Sequence, residues 1–150
     1  MTIQLYNQDN MMVDLEPEIA DLIYADYVYE NLDFSWVDKY WKCLKKNGIF
    51  CVMTDYHSVA EIKLYLDAVS PESTFVNWLI YKNEFGNFKK DRFRQCHDDI
   101  ILYCRDYDWN FYPDQVQIPK VTANAKGLNK SGRTTKIATS VITDICLTTI

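Results

Sequence analysis

Two spacings of apolar residues alternate along the first hundred positions. Ala20-Asp21-Leu22-Ile23-Tyr24-Ala25 is a short apolar run that predicts a buried strand. From Phe34 to Lys46, residues Trp36, Val37, Tyr40, Trp41 and Leu44 recur three and four apart, which predicts a helix. Ser35 is its expected N-cap, and Lys45, Lys46 and Gly48 mark its expected end. Ile49–Thr54 is continuously apolar, as in a strand covered on both faces. Ser58-Val59-Ala60-Glu61 reads as a capping box opening a second helix, with Val59, Ile62, Leu66 and Val69 on one face and Ser70-Pro71 stopping it. Phe75–Tyr81 and Ile100–Cys104 read as further strands, and Thr2–Tyr6 as a short opening one.

A β-α-β-α-β order of this kind predicts an α/β fold, a mostly parallel sheet with flanking helices. Past Pro119 the character changes. Val121–Thr135 is small, polar and basic and reads as an exposed arm, and Ile137–Ile150 as a terminal strand pair. At 150 residues the chain is long enough for one core. No apolar run reaches the length of a bilayer span, and Met1–Leu5 lacks the features of a secretory signal, so a cytoplasmic location is expected.

Charge adds a second layer. The net charge is −5, which alone argues against a nucleic-acid partner. Its distribution points the other way. Lys82, Lys89, Lys90, Arg92 and Arg94 stand against two acids, and Lys120, Lys126, Lys130, Arg133 and Lys136 against none. The rest holds six basic and nineteen acidic residues, a net of −13. Basic segments on an acidic body suit phosphate contact, and two solvated loops explain them equally well. The five cysteines form no C-x-x-C pair, and only His57 and His97 accompany them, so no metal site is expected. Cys96 and His97 are adjacent, and neighbours rarely face each other as a nucleophile and base must.

The chemistry concentrates at Asp26-Tyr27-Val28-Tyr29, an acid and an aromatic at the carboxyl end of the first buried strand, where open α/β sheets place ligands. Asp55-Tyr56-His57 ends another buried strand and is expected on the same edge, as a pocket wall or a surface turn.

Taken in order, the segments resemble the permuted class of DNA methyltransferases that use S-adenosyl-L-methionine (AdoMet) to modify the amino group of adenine or cytosine. Asp26-Tyr27-Val28-Tyr29 is similar to the Asp-Pro-Pro-Tyr signature, and Leu44-Lys45-Lys46-Asn47-Gly48 to the Leu-Lys-Pro-x-Gly turn. Phe75–Lys82, Phe93–Leu102, Phe111-Tyr112-Pro113-Asp114 and Ile118-Pro119 match later segments. The likeness runs over residues 2–119 and implies a catalytic-half methyltransferase-like domain at 1–119 with a partial Rossmann-like fold. Residues 120–150 become a basic arm and the start of a target-recognition segment. Asp26 is expected to accept a hydrogen bond from the target amine, the Tyr27 carbonyl to accept another, and Tyr29 to stack on a base turned out of the duplex. Val28, with Tyr27, replaces the rigid Pro-Pro pair. An acid in the first position leans toward adenine N6. DNA is the expected partner, contacted by Lys89, Lys90, Arg92, Arg94, Lys126, Lys130 and Arg133.

The glycine-rich AdoMet loop of the class has no counterpart. The glycines are Gly48, Gly86, Gly127 and Gly132, and Ser131-Gly132-Arg133-Thr134-Thr135 echoes only the loop's ending. The resemblance therefore implies an incomplete cofactor site, completed by a homodimer or by a complementing methyltransferase subunit. The alternatives are a non-catalytic DNA-binding remnant and a protein-interacting or inhibitory one.

Overall fold

The computed structural model describes residues 3, 5–27, 32–70, 72–83, 88–120 and 132–142. Strand β1 (Ala20–Asp26) leads to helix α1 (Ser35–Cys43), β2 (Leu44–Thr54), α2 (Val59–Val69), β3 (Thr74–Lys82) and β4 (His97–Cys104). Short strands β5 (Gln117–Pro119), β6 (Thr135–Ile137) and β7 (Val141–Ile142) follow. The main sheet has the order β1-β2-β4-β3-β7, and β5 pairs separately with β6. β1 is parallel to β2, and β3 to β7, while β4 lies antiparallel between β2 and β3. Four of the five strands thus point one way, and the α/β expectation of a mostly parallel sheet holds with one reversed strand.

Phe50 and Val52 of β2 and Ile101 and Tyr103 of β4 share one face, packed with Trp36, Val37 and Trp41 of α1 and Val59, Ile62 and Leu66 of α2. Both helices therefore cover the same face. Alternation along the strands sends Leu22 and Tyr24 of β1 to the opposite face, where they are 61% and 55% exposed. Across this face run Ile49, Cys51 and Met53, paired with Cys104, Leu102 and Ile100. The core is tied by polar bonds as well: the buried Tyr103 hydroxyl donates to Asp67 and accepts from Lys63 at 3.1 Å, joining α2 to β4. Burial, with the Asp67 carboxylate beside it, pushes the Tyr103 phenol well above its usual range.

Several elements differ from the sequence expectation, each for a local reason. Residues 3, 5 and 6 form no strand, and residues 2 and 4 lie outside the described ones. Helix α1 ends at Cys43 and not at Lys46, because Leu44 is already extended and pairs with Ala20. The ladder then bulges, and regular pairing resumes at Leu22 with Ile49. Ser35, the expected cap, is the first helical residue; Phe34 holds the N-cap position without a side-chain cap bond, and the Ser35 amide donates to the Asp33 carboxylate at 3.0 Å. Ser58 makes no side-chain cap bond; the Asp55 carbonyl takes the amides of Ser58 and Val59. The expected terminal strand pair is divided, since β6 joins β5 and β7 joins β3, and residues 143–150 lie outside the described ones.

Gly48, expected as a helix terminator, sits within β2 for a packing reason. A Cβ there would come 2.7 Å from Leu44 Cδ1 and 3.0 Å from the Lys45 carbonyl oxygen. Leu44 is fully buried and has little room to yield. Gly48→Ala is expected to destabilise the fold by about 1–3 kcal/mol, read as a lower urea midpoint at unchanged slope.

Candidate active site

Strands β1, β2 and β3 run in the same direction, so their carboxyl ends share one edge of the sheet. The row that ends β1 runs Asp26, Met53, Ile100, Leu79, and β2 continues one residue beyond it and β3 three. Asp26 is the last residue of β1 and is exposed, beside a cleft of about 330 Å³ that Asp9, Asn10, Tyr27, Asp33 and Trp36 also line.

Tyr27 begins the connection to α1 and is held at both ends. Its amide donates to the Met53 carbonyl at 2.8 Å, carrying the β1–β2 pairing one residue further. Its ring, 7% exposed, stacks on Trp36 and tilts against Phe34, each at 5.6 Å. The hydroxyl donates to the Asp33 carbonyl at 3.1 Å. Burial raises the phenol's pKa, and the Asp33 carboxylate adds to the rise. A buried aromatic clamp thus fixes this position where the related signature uses a proline ring. Val28 and Tyr29 lie outside the described residues.

The far wall of the cleft carries no obvious sequence signal. Asn10–Met12 is a 3₁₀ turn, with the Asp9 carboxylate accepting the Met11 amide at 2.8 Å. Lys39 and Tyr40 of α1 hold the turn in place: Lys39 Nζ donates to the Met11 carbonyl at 2.6 Å and the Tyr40 hydroxyl to the Asn10 carbonyl at 2.7 Å. Asp9 and Asn10 were invisible to hydropathy because the turn is polar and exposed.

Beyond β2, Asp55 is 7% exposed, and its carboxylate accepts the His57 amide at 3.1 Å and faces His57 Nδ1 at 2.5 Å. The Tyr56 and His57 rings lie 3.8 Å apart. This loop is a structured turn on the Asp26 edge, although Asp55 does not line the Asp26 cleft. His97 Nε2 faces the buried Asp99 at 4.0 Å, and Asp99 accepts Trp78 Nε1 at 2.7 Å. No hydrogen bond joins Cys96 to His97. Among the described residues, no three His, Cys, Asp or Glu are grouped to hold a metal ion.

The first basic segment connects β3 to β4 and so rises from the Asp26 edge. Its base is closed by the Asn83 amide donating to the Cys96 carbonyl at 2.8 Å and by Asn83 Nδ2 donating to Asp98 at 2.7 Å. Lys89, Lys90, Arg92 and Arg94 are all exposed. Arg92 is engaged by Asp91, at 2.6 and 3.1 Å. Arg133 is also exposed, whereas Lys126 and Lys130 lie outside the described residues.

A cofactor that lies along a glycine backbone finds no seat among the described residues. Gly48 is packed against Leu44 inside β2, and Gly132, at φ 67°, has nothing within 4 Å of a built Cβ. Gly86 and Gly127 lie outside the described residues. No described helix is long and apolar enough to cross a membrane.

Comparison with known proteins bears on this arrangement. Residues 20–145 match the model of the N6/N4 methyltransferase family, described as DNA methylase. The structure of the M1.HpyAVI–SAM complex superposes with a TM-score of 0.52 at 15% identity, covering 62% of this chain and 48% of that one. TTHA0409 of Thermus thermophilus, described as a DNA modification methylase, gives 0.47 at 12% identity, with 68% and 51% covered. These likenesses concern the fold, and the chain spans about half the length of either protein. No curated protein matches in sequence.

Proposed function

The chain belongs to the DNA methylase family, and we propose that it supplies the half of such an enzyme that receives the target base. The observation that carries this reading is the exposed Asp26 carboxylate at the carboxyl end of β1, beside an open cleft. A carboxylate there accepts an N–H from an exocyclic amine and fixes the amine's orientation. The Tyr27 carbonyl is the second acceptor, held by the buried Tyr27 ring and the bond to Met53. Tyr29 would stack on the extruded base, with Val28 completing the loop. An acid in the first position favours adenine N6.

Enzymes of the family draw the methyl group from AdoMet. This chain's described residues build no glycine cradle for it, so its own part is to bind, orient and shield the amine. A complementing subunit or a second copy would bring the cradle. Leu22 and Tyr24, uncovered on β1 at the edge of the sheet, support a partner that completes both sheet and helical layer. DNA would lie over the Asp26 edge, contacted by Lys89, Lys90, Arg92 and Arg94 from the body at 1–119. Lys126, Lys130 and Arg133 would act from the arm at 120–150. In a cell without a nucleus, a DNA substrate places this work in the cytoplasm. The lack of a glycine cradle among the described residues also favours a second reading, a remnant that binds DNA or an active partner without catalysing transfer.

The test needs no cofactor. Turning a base out costs least where it is unpaired. The purified chain is expected to bind a duplex with adenine opposite an abasic site about tenfold more tightly than the paired duplex. Equal affinity for the two would contradict a base pocket here.

A further inference from the structure

Two phenylalanines stand in solvent in the connection between β3 and β4. Phe93 is fully exposed at 101%, and Phe88 is 81% exposed. Leaving such rings in water forfeits most of the gain that burial gives them, which points to a partner that covers them. Their neighbours indicate which partner. Phe88 precedes Lys89 and Lys90, and Phe93 lies between Arg92 and Arg94. Lys89, Lys90 and Arg94 have no ion pair among the described residues, while Asp91 engages Arg92. Lysines are depleted from the cores of protein interfaces, whereas aromatics interleaved with cations suit a phosphate backbone with stacked bases inside it.

Position supports the same partner. The connection rises from the edge that carries Asp26, and its base is closed by the Asn83 and Cys96 backbones. β1 and β3 are separated by β2 and β4. Three spacings of about 4.8 Å put β3 about 14 Å across the sheet from β1, and β3 runs on from Leu79, which shares the Asp26 row, to Lys82, so the connection starts a further ~10 Å along the strands. A ring there reaches the duplex at least about four base steps from the target and not the target itself.

We propose that Phe93, seconded by Phe88, wedges into the base stack of the bound duplex several steps from the target base, while Lys89, Lys90 and Arg94 hold the flanking phosphates. This rests on the reading of DNA as the ligand and extends it to the duplex around the target. A wedge there kinks the flanking duplex and fixes the register in which the target lies over the Asp26 edge.

The test is DNA affinity against salt concentration for the unaltered chain, Phe93→Ala, Phe93→Trp and the Lys89→Ala/Lys90→Ala pair. The duplexes carry 2-aminopurine four, five or six base steps from the unpaired adenine. Phe93→Ala should weaken binding about tenfold at every salt concentration, leave the salt slope unchanged and remove the 2-aminopurine fluorescence rise, and Phe93→Trp should restore the affinity. The lysine pair should instead make the slope shallower by about two. Since Phe93 is fully exposed, unchanged circular dichroism is expected for its variants. Phe93→Ala binding DNA as the unaltered chain does, with the same fluorescence rise, would overturn the wedge and leave DNA binding standing. An unaltered chain that binds no DNA at any salt concentration would overturn the wedge and the DNA reading together.

Discussion

Asp26→Ala is expected to erase the preference for a duplex with an unpaired adenine while leaving the chain as stable as before. The two halves of that result have separate causes. Asp26 is exposed at the end of β1, and its side chain packs in no part of the core, so its removal falls in the range of surface substitutions, within about 0.5 kcal/mol. The extruded amine, by contrast, loses its charged acceptor, and a hydrogen bond to a charged group contributes about 1.5–3 kcal/mol. That is about ten- to a hundredfold in affinity for the unpaired adenine, enough to bring it level with the paired duplex. In an enzyme completed by a partner, the same substitution should lower methyl transfer by about 10²–10³-fold, because a misplaced amine loses its orientation as well as its binding. Affinity titrations on the two duplexes read the first effect. Radiolabelled methyl transfer reads the second. Transfer unaffected by Asp26→Ala would mean that the cleft is not where the base is received.

The largest effect on stability is expected from Phe50→Ala. Phe50 is fully buried in β2, with β1 on one side and β4 on the other. Its ring meets Trp36 at 5.8 Å and Trp41 at 5.4 Å, so one side chain joins the sheet to the face of α1. Removing it leaves a void between two indoles that are themselves held by the helix. Phe→Ala changes in such sites cost about 3–5 kcal/mol, against a total stability of about 5–15 kcal/mol for a domain. Urea unfolding followed by tryptophan fluorescence should show a midpoint reduced by about a fifth or more. Because Trp36 also lines the Asp26 cleft, the variant should bind unpaired adenine more weakly even where it remains folded. A midpoint close to that of the unaltered chain would mean that the core closes over the void.

Much of this architecture was legible in the residues, and the parts that were not share a reason. Apolar periodicity marked α1, α2 and the regular half of β2, because each buries one face or both. Strand β1, expected as a buried strand, instead lies at the sheet edge with no buried residue and packs only the half-buried Ile23 and Ala25 against the core. Asp26 stood out because a charge ending an apolar run must leave the core at that point. Periodicity does not carry direction, however, so nothing in Ile100–Cys104 showed that β4 runs against its neighbours. Leu44 fits the helical spacing of α1 and is also buried as the first residue of β2; pairing with Ala20 decided between the two. The Tyr27 ring was read only for its backbone, since burial of one tyrosine among eleven has no local signature. Asp9 and Asn10 reach the cleft through bonds from Lys39 and Tyr40, about thirty residues away in sequence, and such contacts become visible only in the folded chain.

The central claim is a division of labour: this chain receives the base, and the methyl donor is held with a partner's help. Calorimetric titration of the purified chain with AdoMet, and with S-adenosylhomocysteine as a second ligand, tests it most directly. No saturable heat is expected from the chain alone, because none of its described glycines offers the backbone a close approach to the cofactor. A one-site isotherm with either ligand would show a complete cofactor pocket in this chain and contradict the division.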